Sequence, residues 1–334
     1  MKWPVRIFAS IAVAALTLVL LMTWSKVSPV DVLAAVWRVP PEAFLGALAL
    51  HLFTYAMRAV RFRVLIPVAS RPGFRQALVI SSAHNMASYL LPAKTGEASL
   101  VVYLRLKAGV PAAIGLAALL VARFLDGATL CICLSSACFY LAGDPRYDAL
   151  EWLGSAGIAL VAAAFVFLVL SLRGDLIVRA LRSPLIWIRL HRWNWGEHLL
   201  GKLNSLAAAL RAGANGRLTW GFLVSFAIWA SVFGFYAVLA GSMGMPEWIR
   251  YPEVTFGASL GLLFNLLPFN GAAGMGTQEL GWVMGFNQFL GVDGDVALST
   301  GMGVHLIQLF NIVVLGVIAH CCMSVMPRTV LDEE

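Results

Sequence analysis

Apolar residues run almost without interruption over 7–24, 42–57, 112–142, 153–172, 218–241 and 296–322. A helix needs ~20 such residues to cross about 30 Å of hydrocarbon, so six spanning helices are predicted. Two further apolar stretches, 76–107 and 254–291, are cut in the middle. The first is broken by Pro92-Ala93-Lys94-Thr95-Gly96-Glu97 and the second by Pro268-Phe269-Asn270-Gly271-Ala272-Ala273-Gly274-Met275-Gly276. Neither half of either stretch is long enough to cross alone, and open backbone at that depth is tolerated only inside protein or beside a wet cavity. Both are therefore predicted to be re-entrant helical hairpins. The first enters and leaves among Arg75, Arg105 and Lys107, and the second lies between Glu253 and Asp293 on the opposite side.

The order span, span, hairpin, span fills residues 1–142 and recurs over 153–325, starting from the other face. That layout predicts one membrane domain, 1–334, built as an inverted-topology repeat. Leu90-Leu91-Pro92 leads to Gly96 and Glu97, and Leu266-Leu267-Pro268 leads to Gly271 and Glu279, with Asn85 and Asn265 upstream of the two breaks. Interrupted short segments at matching places in two halves point to a transporter's binding site. The fold class expected is an all-α polytopic membrane protein with about six transmembrane helices and two hairpins.

Composition agrees: 60% of the 334 residues are hydrophobic and 12% charged, and the mean hydropathy is +0.83. A single anchor on a water-soluble domain is excluded, because no stretch outside the apolar runs is long and polar enough to form one. The net charge of +7 is read as topology. Of 24 basic residues, 18 fall in the proposed cytoplasmic segments, 4 (Lys26, Arg38, Arg146, Arg250) outside, and 2 (Lys94, Arg123) within apolar sequence. The positive-inside rule then places both termini in the cytoplasm. Residues 173–217 carry eight basic residues against Asp175 and Glu197, interleaved with Trp187, Trp193 and Trp195. Such a segment suits helices lying on anionic inner-leaflet lipids rather than on nucleic acid. The N-terminal run is long and lacks a prompt small-x-small cleavage site, so it is read as a retained span. Cys131, Cys133, Cys138, Cys321 and Cys322 have no metal or disulfide spacing and read as apolar filler. No metal, nucleotide or nucleophile-elbow motif is present, and no cofactor is expected.

An ionisable group at a helix centre costs about 2.5–3.5 kcal/mol even on the lenient insertion scale. Lys94 and Glu97 in the first break, Glu279 after the second, and Arg123 and Asp126 half-way along a span therefore need an explanation. Arg123 and Asp126, three residues apart on a helix, either neutralise each other as a staple or serve function. Lys94 beside Gly96 at a helix mouth suits a phosphate, unless it snorkels to the surface. Glu97 is either a cap favoured by the helix dipole or a proton carrier lining a cavity. Glu279 occupies the matching place and takes the same two readings. His84 and Asn85 line the entering half-helix, and His305, Gln308 and Asn311 share one face of the last span.

The run from Asn85 to Glu97, ending Leu-Leu-Pro-Ala-Lys-Thr-Gly-Glu, with Arg123-x-x-Asp126 and Leu266-Leu-Pro-x-x-x-Gly-x-x-Gly-x-Gly-x-x-Glu279, resembles the transmembrane region of lysylphosphatidylglycerol synthases. That family of flippase-like membrane proteins has stand-alone members and members fused to a synthase. In the fused enzymes the membrane part carries the aminoacylated lipid to the outer leaflet. The resemblance implies that Glu97, Arg123, Asp126 and Glu279 occupy the family's recurring polar positions, with Lys94 where many members have a basic residue. Only Met326 to Glu334 follow the last span, so lysine transfer from tRNA is not implied. The expected function is a lipid translocase passing a polar or phosphate headgroup through a central cavity lined by Asn85, Lys94, Glu97, Arg123, Asp126, Asn265, Glu279 and His305. Two rivals stand beside it: an integral membrane transferase with Glu97 or Asp126 as base, and a non-catalytic partner that positions a lipid-biosynthesis enzyme. The lipid and the oligomeric state, homo-oligomer included, stay open.

Overall fold

The structure is a computed structural model that describes residues 3–187, 194–214, 217–265 and 272–327. It is helical throughout. Five helices are long and apolar enough to cross a membrane among the described residues, or six with the bent pair at the N-terminus. That pair is α1 (Trp3–Ser25) and α2 (Pro29–Trp37), bent by 84°. The bend follows from Ser28, whose hydroxyl caps Asp31 N while Asp31 returns to Ser28 N at 2.7 Å. This reciprocal capping box starts a new helix rather than extending the old one.

Helix α3 (Pro41–Leu65) begins on a proline at its first position. It continues two turns beyond the predicted end at residue 57, and so carries Arg58 and Arg61 into the bundle rather than into the cytoplasm. Helix α4 (Phe74–Leu90) ends where Leu91 turns extended ahead of Pro92, the conformation that proline imposes on its predecessor. A 3-10 segment, Pro92–Ala98, then leads to α5 (Ser99–Ala108), which packs back against α4. Gly96 allows this reversal: a Cβ there would lie 2.0 Å from the Ala87 carbonyl oxygen. Helix α5 stops on Gly109, in the left-handed conformation at φ 63°, and Pro111 opens α6 (Ala112–Ala142).

The second half runs α7 (Leu153–Trp187), α8 (Asn194–Ala214), α9 (Leu218–Ser242), α10 (Tyr251–Asn265), α11 (Thr277–Val283) and α12 (Gly294–Val325). Helix α7 loses helical geometry at Arg173, where its spanning part ends. The basic segment beyond is helical but not merely a surface layer, since α8 packs on α6 and α7 and buries Leu200, Ala207 and Leu210. Trp187 is exposed, while the side chains of Trp193 and Trp195 lie outside the described residues.

The break 266–271 also lies outside the description, but both arms of the second hairpin do not. Gly257 and Gly261 on α10 face Gly281 and Gly285 on the return arm, and a Cβ at Gly281 or Gly285 would lie 2.5 Å from the carbonyl of Leu260 or Gly257. Two Gly-x-x-x-Gly stripes thus bring the arms together backbone to backbone, as in close-packed membrane helices. A single π turn, Met284–Phe289, closes the return arm.

Two large apolar clusters, beside a small third of Ala83, Ala319 and Met323, make the core among the described residues. One takes Ala47 of α3, Leu130 to Leu141 of α6 and Phe233 to Ala240 of α9. The other takes Phe62 and Leu65, Ala117 to Leu125, and Leu218 of the same three helices. Between these two, at a seam along α3 and α6, stand Arg61 and Asp126.

Candidate functional site

At the seam, Asp126 of α6 is held by three helices. Arg61 of α3 donates to its two oxygens at 2.5 and 3.2 Å. Trp229 Nε1 of α9 donates at 3.1 Å and Arg123 Nη1 at 3.0 Å. Four donors fill the carboxylate's acceptor positions, which is the condition for keeping a buried charge. Arg61 also donates to Ser225 Oγ at 3.0 Å. Arg123 turns its other nitrogens on Glu97 Oε2, at 3.0 Å from Nε and 2.6 Å from Nη2. Glu97 Oε1 accepts from the Ser88 hydroxyl at 2.5 Å. The first break is thereby tied to α6 and, through Asp126, to α3 and α9.

Exposure grades along this network. The side chains of Arg123 and Glu97 are 39% and 27% exposed, Asp126 14% and Arg61 2%. One end opens at the surface and the other is sealed. Beyond it, Arg58 Nη1 donates to Asn85 Oδ1 at 2.7 Å, and Asn85 Nδ2 to the Tyr55 hydroxyl at 2.8 Å. A turn further along α4, the Tyr89 hydroxyl donates to Gln278 Oε1 at 3.1 Å, which reaches the second hairpin. Gln308 Oε1 of α12 accepts from the Tyr236 hydroxyl at 3.3 Å and from Gln278 Nε2 at 3.5 Å.

Next to Gln278, Glu279 is almost fully buried against His305 of α12, with Glu279 Oε1 bonded to His305 Nδ1. Its second oxygen accepts from Gly276 N at 2.6 Å, and His305 Nε2 lies 3.2 Å from the Ala273 carbonyl. A carbonyl can only accept, so Nε2 carries a hydrogen and Nδ1 faces the carboxyl. Ala273 itself has φ 55°, an unfavoured conformation for a side-chain-bearing residue. His305 therefore pins the second break from a neighbouring helix. His84 meets the first hairpin in a similar way, its Nδ1 3.0 Å from Ser99 Oγ just past the break.

These contacts correct one expectation. Glu97 and Glu279 were expected at matching places, yet Glu97 binds Arg123 at a half-open edge while Glu279 is buried on histidine. Counting from the glycine that ends each break, Gly96 and Gly276, the residue three on is Ser99 in one hairpin and Glu279 in the other, and each meets a histidine. Glu97, Arg123 and Asp126 share one network, Asn85 stands beside it on Arg58, and Glu279 and His305 form a separate buried pair that the Tyr89 ring approaches. The side chains of Lys94 and Asn265 lie outside the described residues. Arg58, Arg61, Tyr55, Tyr89, Trp229 and Gln278 were not anticipated. Their signal was an Arg-x-x-Arg spacing at the end of an apolar run, one helical turn apart and thus on one face. No group of His, Cys, Asp and Glu arranged for a metal occurs among the described residues.

A family model described as lysylphosphatidylglycerol synthase TM region matches residues 7–316. A search of curated proteins finds no match.

Proposed function

The chain belongs to the lysylphosphatidylglycerol synthase transmembrane-region family, and from that premise we propose that it is a lipid translocase of the bacterial inner membrane. In this reading the polar headgroup follows a track between the two broken hairpins while the acyl tails stay in the bilayer. The observation that carries it is the graded network of Glu97, Arg123, Asp126 and Arg61, open at one end and continued by Tyr89 and Gln278 toward the second hairpin. A headgroup in bare hydrocarbon loses its hydrogen bonds to water, and a lined path offsets that loss. Helix pairing supports two related halves: α3 packs on α9, and α6 packs on α10 as α12 packs on α4. Rocking of such halves about a fixed midplane site is the usual form of alternating access. The chain performs no covalent chemistry in this reading, both termini are cytoplasmic, and the basic helices after Arg173 rest on anionic inner-leaflet lipid.

The test is leaflet exchange of fluorescent phosphatidylglycerol, phosphatidylethanolamine and native-extract lipids in liposomes holding the purified protein. Exchange above protein-free liposomes, lost in an Arg123→Ala/Glu97→Ala double variant that still folds, is the expected result. No exchange across the panel with folded protein overturns the reading in favour of a transferase or a non-catalytic partner.

A further inference from the structure

Among the described residues the seam holds three guanidinium groups, Arg58, Arg61 and Arg123, and two carboxylates, Glu97 and Asp126. Three minus two leaves one positive charge. Arg61 and Arg123 are engaged by the carboxylates. Arg58 reaches only the amide oxygen of Asn85, and its Nε is buried without a partner. Among the described residues no carboxylate lies within ion-pair distance of it.

Arg58 borders a cavity of about 40 Å3 where α3, α4, α9 and α12 meet. His51, Tyr55 and Gln308 also line it. His51 Nε2 is a second buried nitrogen with no partner. The Tyr55 hydroxyl accepts from Asn85 and keeps its own proton for another acceptor. Arg58 and the Tyr55 hydroxyl thus bring spare N–H and O–H groups to the lining of one small space, and His51 adds an unpaired ring nitrogen. Unpaired buried donors cost roughly 1–3 kcal/mol each, more when charged, so such a cluster is stable as the receiver of an acceptor-rich anion.

Resting on the translocation reading, we propose that this cavity is the receptor for a phosphoryl group with a single negative charge, with Arg58 as its cationic partner. A guanidinium fork matches two oxygens of one phosphoryl edge, and one negative charge brings the seam to neutrality. At the roughly 10–15 Å3 that one water needs, the cavity holds about three waters' worth of atoms. That admits the phosphoryl oxygens and leaves the alcohol of the headgroup outside, so the cavity selects for the phosphodiester and not for what it carries. Arg123, satisfied by two carboxylates, positions the network rather than holding the ligand.

The experiment uses the full chain in detergent with dioctanoyl phosphatidylglycerol, dioctanoylglycerol, which lacks the phosphoryl group, and inorganic phosphate. The phospholipid is expected to raise the Tm of the wild type and the diacylglycerol to leave it unchanged. Arg58→Gln should melt no lower than wild type without lipid, since it removes an uncompensated charge, yet bind the phospholipid roughly ten- to a hundredfold more weakly, the size of a lost charged hydrogen bond. Tyr55→Phe, a milder change, should weaken binding about three- to tenfold and decides the matter should Arg58→Gln not fold. Displacement of the phospholipid by inorganic phosphate at comparable concentration would support the site and make soluble phosphate its source; no displacement would support the site and make lipid its source. Equal stabilisation by dioctanoylglycerol, or unchanged affinity in both variants, overturns the proposal, and leaves translocation standing where wild-type leaflet exchange persists. Binding that depends on Arg58 without any leaflet exchange would instead sink translocation and keep the site.

Discussion

Arg61 and Asp126, 65 residues apart in sequence, close a two-pronged ion pair between α3 and α6 at 2.5 and 3.2 Å. The pair lies between the two apolar clusters, where Trp229 and Arg123 complete the carboxylate's shell. It gives three helices one register and leaves Arg58, one turn earlier on α3, as the cation without a counter-charge.

Removing one partner should therefore cost more than removing both. Arg61→Ala leaves Asp126 with a deficit of donors, and Asp126→Asn leaves two guanidinium groups facing each other. Either is expected to cost about 3–5 kcal/mol, the usual penalty for half of a buried pair. An Arg61→Met/Asp126→Leu double variant should recover much of that in thermal unfolding but not leaflet exchange. A double variant no more stable than the singles would show that the pair's role is not electrostatic balance.

The glycine stripes of the second hairpin make a sharper prediction. A Cβ at Gly281 would lie 2.5 Å from the Leu260 carbonyl and 2.8 Å from Gly261 Cα, both backbone atoms that cannot swing away. Gly281→Ala should destabilise by about 1–3 kcal/mol or more, as overpacking does. Gly46→Ala on α3 has nothing within 4 Å and should be neutral or stabilising by up to about 1 kcal/mol. Comparable Tm losses in the two variants would mean that the stripes do not hold the arms together.

Much of this frame was legible in the chain because its signals are local. Pro92 and Gly96 announce the first break by themselves, and continuous apolar runs announce the spans. The seam was legible only in part because it is made by distant residues. Arg58 and Arg61 read as a cytoplasmic cluster when the carboxylate that keeps Arg61 in the bundle stands on α6. Trp229 sits in an apolar helix where nothing local separates it from a lipid-facing residue. The Gly257-x-x-x-Gly261 and Gly281-x-x-x-Gly285 spacings were visible, but only their juxtaposition shows what they do.

Glu279 and His305 bond each other in a site almost closed to solvent, but each also holds a different part of the second break, so they should answer differently to substitution. Glu279→Gln keeps an acceptor for Gly276 N and offers an amide N–H to His305 Nδ1, imitating the protonated acid. It should cost about 1 kcal/mol or less. His305→Ala strands the carboxyl and frees Ala273, and should cost about 3–5 kcal/mol. Equal losses of Tm would show that the two residues act as packing rather than as a hydrogen-bonded pair.

At the far end of α6, Arg146 bonds both oxygens of Asp144 at 2.6–3.1 Å and reaches the buried Glu253 of α10 at 3.3 Å. It also lies against the rings of Tyr147 and Trp248. The side-chain bonds from Arg146, followed by its backbone N–H, hold the Asp144 carboxyl below the usual carboxylate range. A depressed folded pKa means that its contribution to stability is fully present above the unfolded value of about 3.9 and fades as pH falls through the lower folded value. Arg146, whose pKa is raised by the same contact, stays charged throughout. The clamp should thus be unchanged between about pH 5 and 8 and open only as pH falls through the depressed folded value, below the ordinary carboxylate range, loosening the α6–α7 connection from the start of α10. Protection of residues 144–153 and 250–254 against hydrogen exchange, relative to the intrinsic rate at each pH, should fall over that acid range in the wild type. In Asp144→Asn the same segments should already exchange fast at neutral pH, with the acid step reduced. An identical acid step in wild type and variant would assign the transition to other carboxylates and remove Asp144 from the clamp.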